Sequence, residues 1–107
     1  MKTLKFVPRL VQPILSGEKI STWRLFDDKD LSLGDELSFV NRETLEEFAR
    51  GKISAIKEKK LGEVTEADFV GNENYGSLEN MYKILRGHYG DRVNPEIIVK
   101  MIDFEII

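Results

Sequence analysis

The chain has 107 residues and a net charge of −3, with 41% apolar and 33% charged side chains, which fits one globular domain over residues 1–107. It has no cysteine and one histidine, which excludes disulfides and cysteine nucleophiles and leaves too few ligands for a zinc site. The acidic balance argues against a broad nucleic-acid-binding face, and no apolar run reaches the roughly 18 residues of a membrane span.

The first predicted elements are a strand and a short helix. Leu4 and Phe6 alternate with polar neighbours, as expected for a half-buried strand. Pro13 keeps the helix that follows short, and Gly17 ends it. The helix is indicated by four apolar residues at helical spacing: Leu10, Val11, Ile14 and Leu15.

A second strand is predicted over residues 19–26. Trp23 and Leu25 share one face of this strand, and Thr22 and Arg24 share the other. Because Trp23 lies on the same face as an apolar neighbour, we interpret it as a core side chain rather than as a platform for a nucleic-acid base.

The acidic stretch at 27–30 is predicted as a solvated loop. A turn at Gly34-Asp35 then leads into a third strand over residues 36–40. Residues 45–60 are predicted to continue as a strand that is broken near Gly51.

The remaining sequence predicts two helical segments and a last strand. Thr65 and Asp68 have the spacing of a capping box at the start of a short helical turn. Ser77 caps a clear amphipathic helix over residues 78–87, and 97–106 reads as a central strand that is apolar on both faces in its first half. These elements indicate an α+β fold, a small mixed β-barrel of five or six strands with two or three short flanking helices.

One short string holds several residues that can carry chemistry. It has the form G-x-K-x-x-T-x-R and consists of Gly17, Lys19, Thr22 and Arg24. Three further pairs follow it along the chain: Gly34-Asp35, Glu73-Asn74 and Asp103-Phe104. The string and this order resemble the ASCH domain, a member of the PUA-like β-barrel superfamily, over nearly the whole chain.

The resemblance implies a fold and two alternative activities. The family has been proposed to bind RNA through a cleft beside the barrel. Its small single-domain members are metal-independent amidohydrolases that remove the acetyl group from N4-acetylcytidine. The catalytic lysine, threonine and glutamate of those enzymes correspond to Lys19, Thr22 and Glu73. We therefore expect a cytoplasmic monomer that needs no metal or other cofactor and whose partner is either a small-molecule nucleoside or RNA.

The residues themselves are chemically suited to such a role. A threonine hydroxyl needs a base to become a nucleophile, and Lys19 can act as that base only if its pKa falls towards neutrality. Arg24 is a cation that can lower this pKa, or it can bind a carbonyl, phosphate or carboxylate group. Glu73 can protonate a leaving amine, orient the lysine or accept a hydrogen bond from a cytosine amino group.

Two neighbours of Glu73 complete the candidate site. Asn74 is a candidate substrate-binding residue, and Tyr75 is a candidate for stacking on a base. The spacing of the motif raises one geometric difficulty, because positions 19 and 22 have opposite parity and a regular strand sends their side chains to opposite faces. Lys19 must therefore lie in the loop after Gly17, or a bulge must intervene.

Overall fold

Five strands form one curled sheet in the order β1-β3-β4-β5-β2 in the computed structural model, which describes residues 1–107. The strands and the two α-helices are β1 (Lys2–Phe6), α1 (Val11–Ser16), β2 (Ser21–Leu25), β3 (Glu36–Asn41), β4 (Glu47–Lys60), α2 (Leu78–Tyr89) and β5 (Ile98–Ile106). Three short 3-10 turns accompany them at Pro8–Leu10, Leu61–Glu63 and Glu66–Phe69. The predicted α+β fold class is confirmed.

The edges of the sheet are β1 and β2, and no ladder joins them. β1 pairs with β3 in parallel, and all other neighbouring strands are antiparallel. β5 lies between β4 and β2, so the prediction of a central C-terminal strand is confirmed. The first and second strands of the chain thus border the opening of the curled sheet.

The two faces of the sheet carry separate apolar clusters, because successive side chains of a strand point to opposite faces. On β5, Met101 belongs to one cluster and Ile102 to the other. The first cluster lies under α2 and includes Trp23, Leu25, Phe69, Met81 and Leu85. The second joins β1, α1, β3, β4 and β5 through Leu4, Phe6, Ile14, Phe39, Ile53 and Phe104. Trp23 is therefore a core residue, as predicted.

The predicted strand break near Gly51 is wrong. β4 runs without interruption from Glu47 to Lys60, and its pairing is irregular at two residues: Phe48 is an extra residue opposite β3, and Ser54 is one opposite β5. Gly51 is instead a point of close approach: a Cβ atom there would lie 2.9 Å from the carbonyl oxygen of Glu105 and 3.0 Å from Cζ of Phe39.

The predicted end of α1 and the predicted starts of α2 and of the Glu66–Phe69 turn are confirmed, whereas α2 extends two residues beyond the predicted position 87, to Tyr89. Gly17 follows α1 with a φ of 85°, a left-handed conformation that glycine adopts without strain. At the start of α2, the Ser77 hydroxyl accepts a hydrogen bond of 3.1 Å from the Asn80 N–H. The Thr65 N–H donates to Asp68 Oδ2 at 2.9 Å, as the capping-box spacing predicts. The turn at Gly17 is what brings the chain from α1 into β2.

Residues 28–30 are exposed, as expected for a solvated loop, but Asp27 at its start is not. The carboxylate of Asp27 accepts hydrogen bonds from the backbone N–H groups of Lys29 (3.0 Å) and Leu31 (2.9 Å). It also accepts one from Nζ of Lys100 at 2.8 Å. Asp27 is therefore a structural link between this loop and β5.

Candidate active site

A cavity of about 330 Å³ opens between the two edge strands of the sheet. β1 supplies Lys5 and Phe6 to its wall, β2 supplies Thr22, Trp23 and Arg24, and α2 supplies Leu85, His88 and Tyr89. Six of the lining residues are charged or polar: Lys5, Thr22, Arg24, Arg42, Glu73 and His88. An apolar wall with a few convergent polar groups is the usual composition of a small-molecule site.

Lys19 lies in the loop between α1 and β2, which resolves the parity difficulty. Its backbone N–H donates to the Pro13 carbonyl at 3.0 Å, and β2 begins only at Ser21. The side chain is only 3% exposed, and Nζ donates to Oδ1 of Asn72 at 2.6 Å. No carboxylate forms an ion pair with this buried amine.

The surroundings of Lys19 make it more acidic than an ordinary lysine. Burial lowers the pKa of Lys19 from 10.5 to about 8, because the charged form loses solvation. Glu73 raises this pKa, whereas Arg24 and Arg9 lower it. Lys19 does not line the cavity. Because Arg24 and Glu73 both influence its pKa, its amine lies within electrostatic reach of two residues that do line the cavity.

Thr22 and Arg24 lie on one face of β2, as the alternation predicts. Thr22 is 5% exposed and lines the cavity. The Arg24 guanidinium stacks on the ring of Phe6, with 5.0 Å between Cζ and the ring centroid. Its Nε is buried without a hydrogen-bond partner, and burial lowers the pKa of Arg24. A guanidinium remains charged in any such setting, so the cavity holds a cation with unused donors.

Glu73 reaches the cavity from the segment before α2. Its side chain is 18% exposed, and its Oε2 lies 3.1 Å from a guanidinium nitrogen of Arg9. Glu73 directly follows Asn72, the acceptor of the Lys19 amine. The structure thus brings Thr22, Arg24 and Glu73 to one cavity and places Lys19 beside them through Asn72.

The other two predicted site residues have different positions. Asn74 is exposed and does not line the cavity; its Oδ1 accepts a hydrogen bond of 2.9 Å from the Gly76 N–H. Tyr75 lines the cavity but is only 6% exposed, because its ring packs against Trp23 at 5.7 Å and Phe69 at 5.2 Å between centroids. A ring buried to this extent has little exposed surface on which a base could stack.

Sequence reasoning missed four residues of the site. Asn72 precedes the Glu73-Asn74 pair, and no spacing rule distinguishes it from Asn74. Lys5 and Arg42 both line the cavity, although 36 residues separate them in sequence. Their proximity follows from the parallel pairing of β1 with β3. Arg9 was missed because its partner Glu73 is 64 positions away.

Two classes of feature are absent from the structure. No group of three or more His, Asp or Glu side chains lies close enough together to hold a metal ion. Neither helix combines the length and the apolar character that crossing a bilayer requires.

Comparison with known proteins identifies the fold. No protein-family model matches the sequence, and no curated protein matches it. The crystal structure of the hypothetical protein PH0355 matches with a TM-score of 0.74 at 23% identity, covering all of both chains. The ASCH domain from Lactobacillus crispatus matches with a TM-score of 0.72 at 16% identity, covering 92% of this chain and 70% of that one.

A third match is a protein from Pyrococcus furiosus, whose solution structure has a TM-score of 0.65 at 20% identity, with 99% of this chain and 96% of that one covered. The resemblance that the motif indicated is thereby confirmed at the level of the fold. The chain has the curled-sheet architecture of the ASCH domain.

Proposed function

We propose that residues 1–107 are a single ASCH domain that acts as a metal-independent amidohydrolase and removes the acyl group from an N4-acylated cytidine. The observation that carries this proposal is the buried Lys19, whose pKa of about 8 leaves about a tenth of it neutral at pH 7. An ordinary surface lysine is almost fully protonated at that pH. The environment of Lys19 therefore favours a general base.

In the proposed first step, Lys19 removes the proton from the Thr22 hydroxyl while the oxygen attacks the carbonyl carbon of the acyl group. The amine rotates from Asn72 towards Thr22 when the substrate binds, since catalytic hydrogen bonds often tighten only in the complex. Arg24 stabilises the oxyanion that develops on the carbonyl oxygen, because its buried Nε–H has no other partner.

In the second step the bond between the carbonyl carbon and N4 breaks, and the Lys19 ammonium returns its proton to the leaving amine. Glu73 is bonded to the Arg9 guanidinium, so we assign it as an acceptor for the cytosine N–H rather than as a proton donor. Water then attacks the acyl ester, with Lys19 again as base, and Thr22 recovers its proton. The products are cytidine and a carboxylate.

The experiment is incubation of the purified protein with N4-acetylcytidine and chromatographic detection of cytidine. Wild-type protein is expected to release it, and Thr22→Ala is expected to lower kcat/KM by a factor of about 10² to 10⁴. Thr3→Ala, at an exposed threonine of β1, is the matched control and should retain the wild-type rate. A wild-type protein that releases no cytidine contradicts the proposal.

A second candidate function is RNA binding without catalysis. The observation that favours it is the basic character of the cavity, where Lys5, Arg24 and Arg42 face a single acidic residue, Glu73. Under this alternative, Thr22→Ala changes the affinity for RNA only slightly. Loss of Arg24 weakens RNA binding and reduces its salt dependence by about one ion contact. Measurement of RNA affinity at several salt concentrations distinguishes the two functions.

A further inference from the structure

The charge around the cavity is opposite to that of the protein as a whole. The chain carries a net charge of −3, yet three cations and one carboxylate line the cavity: Lys5, Arg24, Arg42 and Glu73. The one carboxylate is already bonded to a further cation, Arg9. The cavity is therefore an electropositive region in an acidic molecule, which favours an anionic ligand.

The cations of the cavity form no ion pair, which is also true of six basic residues elsewhere in the chain: Lys19, Lys29, Lys52, Lys83, Arg86 and Arg92. What sets Lys5, Arg24 and Arg42 apart is that they line one common cavity. Seven basic side chains elsewhere in the chain form ion pairs with carboxylates: Lys2, Arg9, Arg50, Lys57, Lys59, Lys60 and Lys100. Lys5, Arg24 and Arg42 form none. Their charge is thus not neutralised within the protein.

Local structure fixes two of these cations on one side of the cavity. Lys5 pairs with Val40 in the β1–β3 ladder, and the Arg42 N–H donates to the Phe6 carbonyl at 2.8 Å. The side chain of Asn41 accepts hydrogen bonds from the backbone of the following turn, at Glu43 (2.9 Å) and at Thr44 (3.3 Å). The exposed side chains of Lys5 and Arg42 therefore start from a well-defined backbone at the rim.

We propose that Lys5 and Arg42 bind the phosphate of the ligand, so that the preferred substrate is an N4-acylated cytidine monophosphate rather than the free nucleoside. This inference rests on the proposed function for the identity of the base. A volume of about 330 Å³ lies at the lower end of the range for ligand pockets, roughly 300 to 1,000 Å³, and suits one nucleotide. The acidic remainder of the surface disfavours a longer polyanion.

The chemistry divides the cavity into two parts. Arg24 and Glu73 meet the carbonyl and the exocyclic nitrogen of the base, while Lys5 and Arg42 meet the phosphate at the opening. The rim cations are exposed, so each contact is a modest one. Two such contacts together are expected to give about a tenfold preference for the monophosphate.

The test measures binding and turnover separately. Calorimetry on the wild-type protein is expected to show that cytidine 5′-monophosphate binds about tenfold more tightly than cytidine, and that this preference diminishes at high salt. The double variant Lys5→Ala/Arg42→Ala is expected to reduce the affinity ratio towards one. The double variant Lys52→Ala/Lys83→Ala changes the net charge equally at exposed positions outside the cavity and should retain the ratio.

Equal affinities for nucleotide and nucleoside overturn the inference, as does a preference that survives in the Lys5→Ala/Arg42→Ala variant. An RNA oligonucleotide that binds more tightly than the mononucleotide also overturns it. If the preference is found but N4-acetylcytidine and its monophosphate are both left intact, the nucleotide site stands and the amidohydrolase proposal fails. If both are hydrolysed with equal kcat/KM and bind equally, the amidohydrolase proposal stands and the nucleotide site fails.

Discussion

Two lysines of this protein have little exposed surface, and they differ in depth of burial and in hydrogen-bond partner. Nζ of Lys100, on β5, donates to Oδ2 of Asp27 at 2.8 Å and to the Leu31 carbonyl at 3.1 Å. The hydrogen bond to Asp27 raises the pKa of Lys100. Lys19 is more deeply buried but has only a neutral acceptor, Oδ1 of Asn72, and its pKa is lowered to about 8.

The comparison shows that the depth of burial and the partner of a lysine together determine its pKa. A carboxylate partner offsets the loss of solvation and fixes the charge, so that the side chain links two parts of the fold. A neutral amide satisfies a donor but does not compensate the charge, so the proton is held weakly. Lys100 thus ties the loop at 27–31 to the sheet, whereas the lowered pKa of Lys19 suits it to the proton transfer that we propose.

The largest effect is expected on catalysis. Lys19→Met should lower kcat/KM for N4-acetylcytidine by a factor of about 10² to 10⁴, since it removes the proposed general base. Lys100→Met removes an amine that does not line the cavity and should leave turnover within about twofold at 25 °C. Steady-state kinetics of both variants measure the difference. Equal losses in the two variants would show that burial of any lysine charge, rather than base catalysis, governs the rate.

The free energy of unfolding should show the reverse order, with the larger loss in Lys100→Met rather than in Lys19→Met. Lys100→Met leaves the Asp27 carboxylate without its ion-pair partner, although two backbone donors remain. We expect the free energy of unfolding to fall by about 2 kcal/mol, the usual size for a hydrogen bond to a charged group. Urea denaturation at pH 7 measures it. An unchanged midpoint would mean that the pair adds nothing to the attachment of the loop.

The pH dependence of this pair has a defined sign. Burial on its own raises the pKa of Asp27, but the hydrogen bonds from Lys100 and from the backbone of Lys29 and Leu31 outweigh it and hold the pKa below 3.8. The stability that Asp27 contributes is therefore present above pH 3.8 and is lost as the pH falls through its lower folded-state value.

The sequence predicted the fold better than the site. Alternation and helical spacing are local signals, and they located β2, β3, β5 and α2 because each of these elements buries a regular stripe of side chains. The motif correctly grouped Thr22 with Arg24, since two residues at i and i+2 of a strand share a face.

The parts that the sequence left undetermined depend on contacts between distant segments. The acceptor of Lys19 is Asn72, 53 residues away, and that of Lys100 is Asp27, 73 residues away. Nothing in the local pattern distinguishes Asn72 from Asn74, or Asp27 from the other acidic residues of its loop. The pKa of a lysine follows from its burial and from such partners, so the contrast between Lys19 and Lys100 exists only in the folded chain.

Replacement of Lys19 should stabilise the protein. A pKa lowered from 10.5 to about 8 corresponds to about 3 kcal/mol of destabilisation when the lysine is protonated. Lys19→Met removes this term but leaves the Asn72 oxygen without its donor, which costs about 1 to 2 kcal/mol. The expected net gain at pH 7 is therefore about 1 to 2 kcal/mol, measured by urea denaturation.

The pH dependence provides the check on that gain. Between about pH 8 and pH 10.5 the unfolded chain binds more protons at Lys19 than the folded one does, so wild-type stability should rise with pH across this interval. Lys19→Met should lack this rise. A variant that is less stable than the wild type at pH 7 and keeps the rise would show that the buried amine is compensated after all.

The smallest effect tests the electrostatic coupling that separates Lys19 from Lys100. As the proposed base, Lys19 should give a rate that increases with pH through about 8 and then levels off. Arg9 lowers the pKa of Lys19, and it also holds Glu73, which raises it. Arg9→Gln removes the repulsion between Arg9 and Lys19 and frees the Glu73 carboxylate, so both consequences should move the midpoint of the pH–rate profile upwards.

The shift of this midpoint should be small. An exposed ion pair is worth at most about 1 kcal/mol, which corresponds to less than one pH unit. Lys83→Gln, an equal loss of charge at an exposed position of α2, should leave the midpoint in place. If the midpoint moves downwards in Arg9→Gln, or moves equally in both variants, the group that titrates in the pH–rate profile is not Lys19.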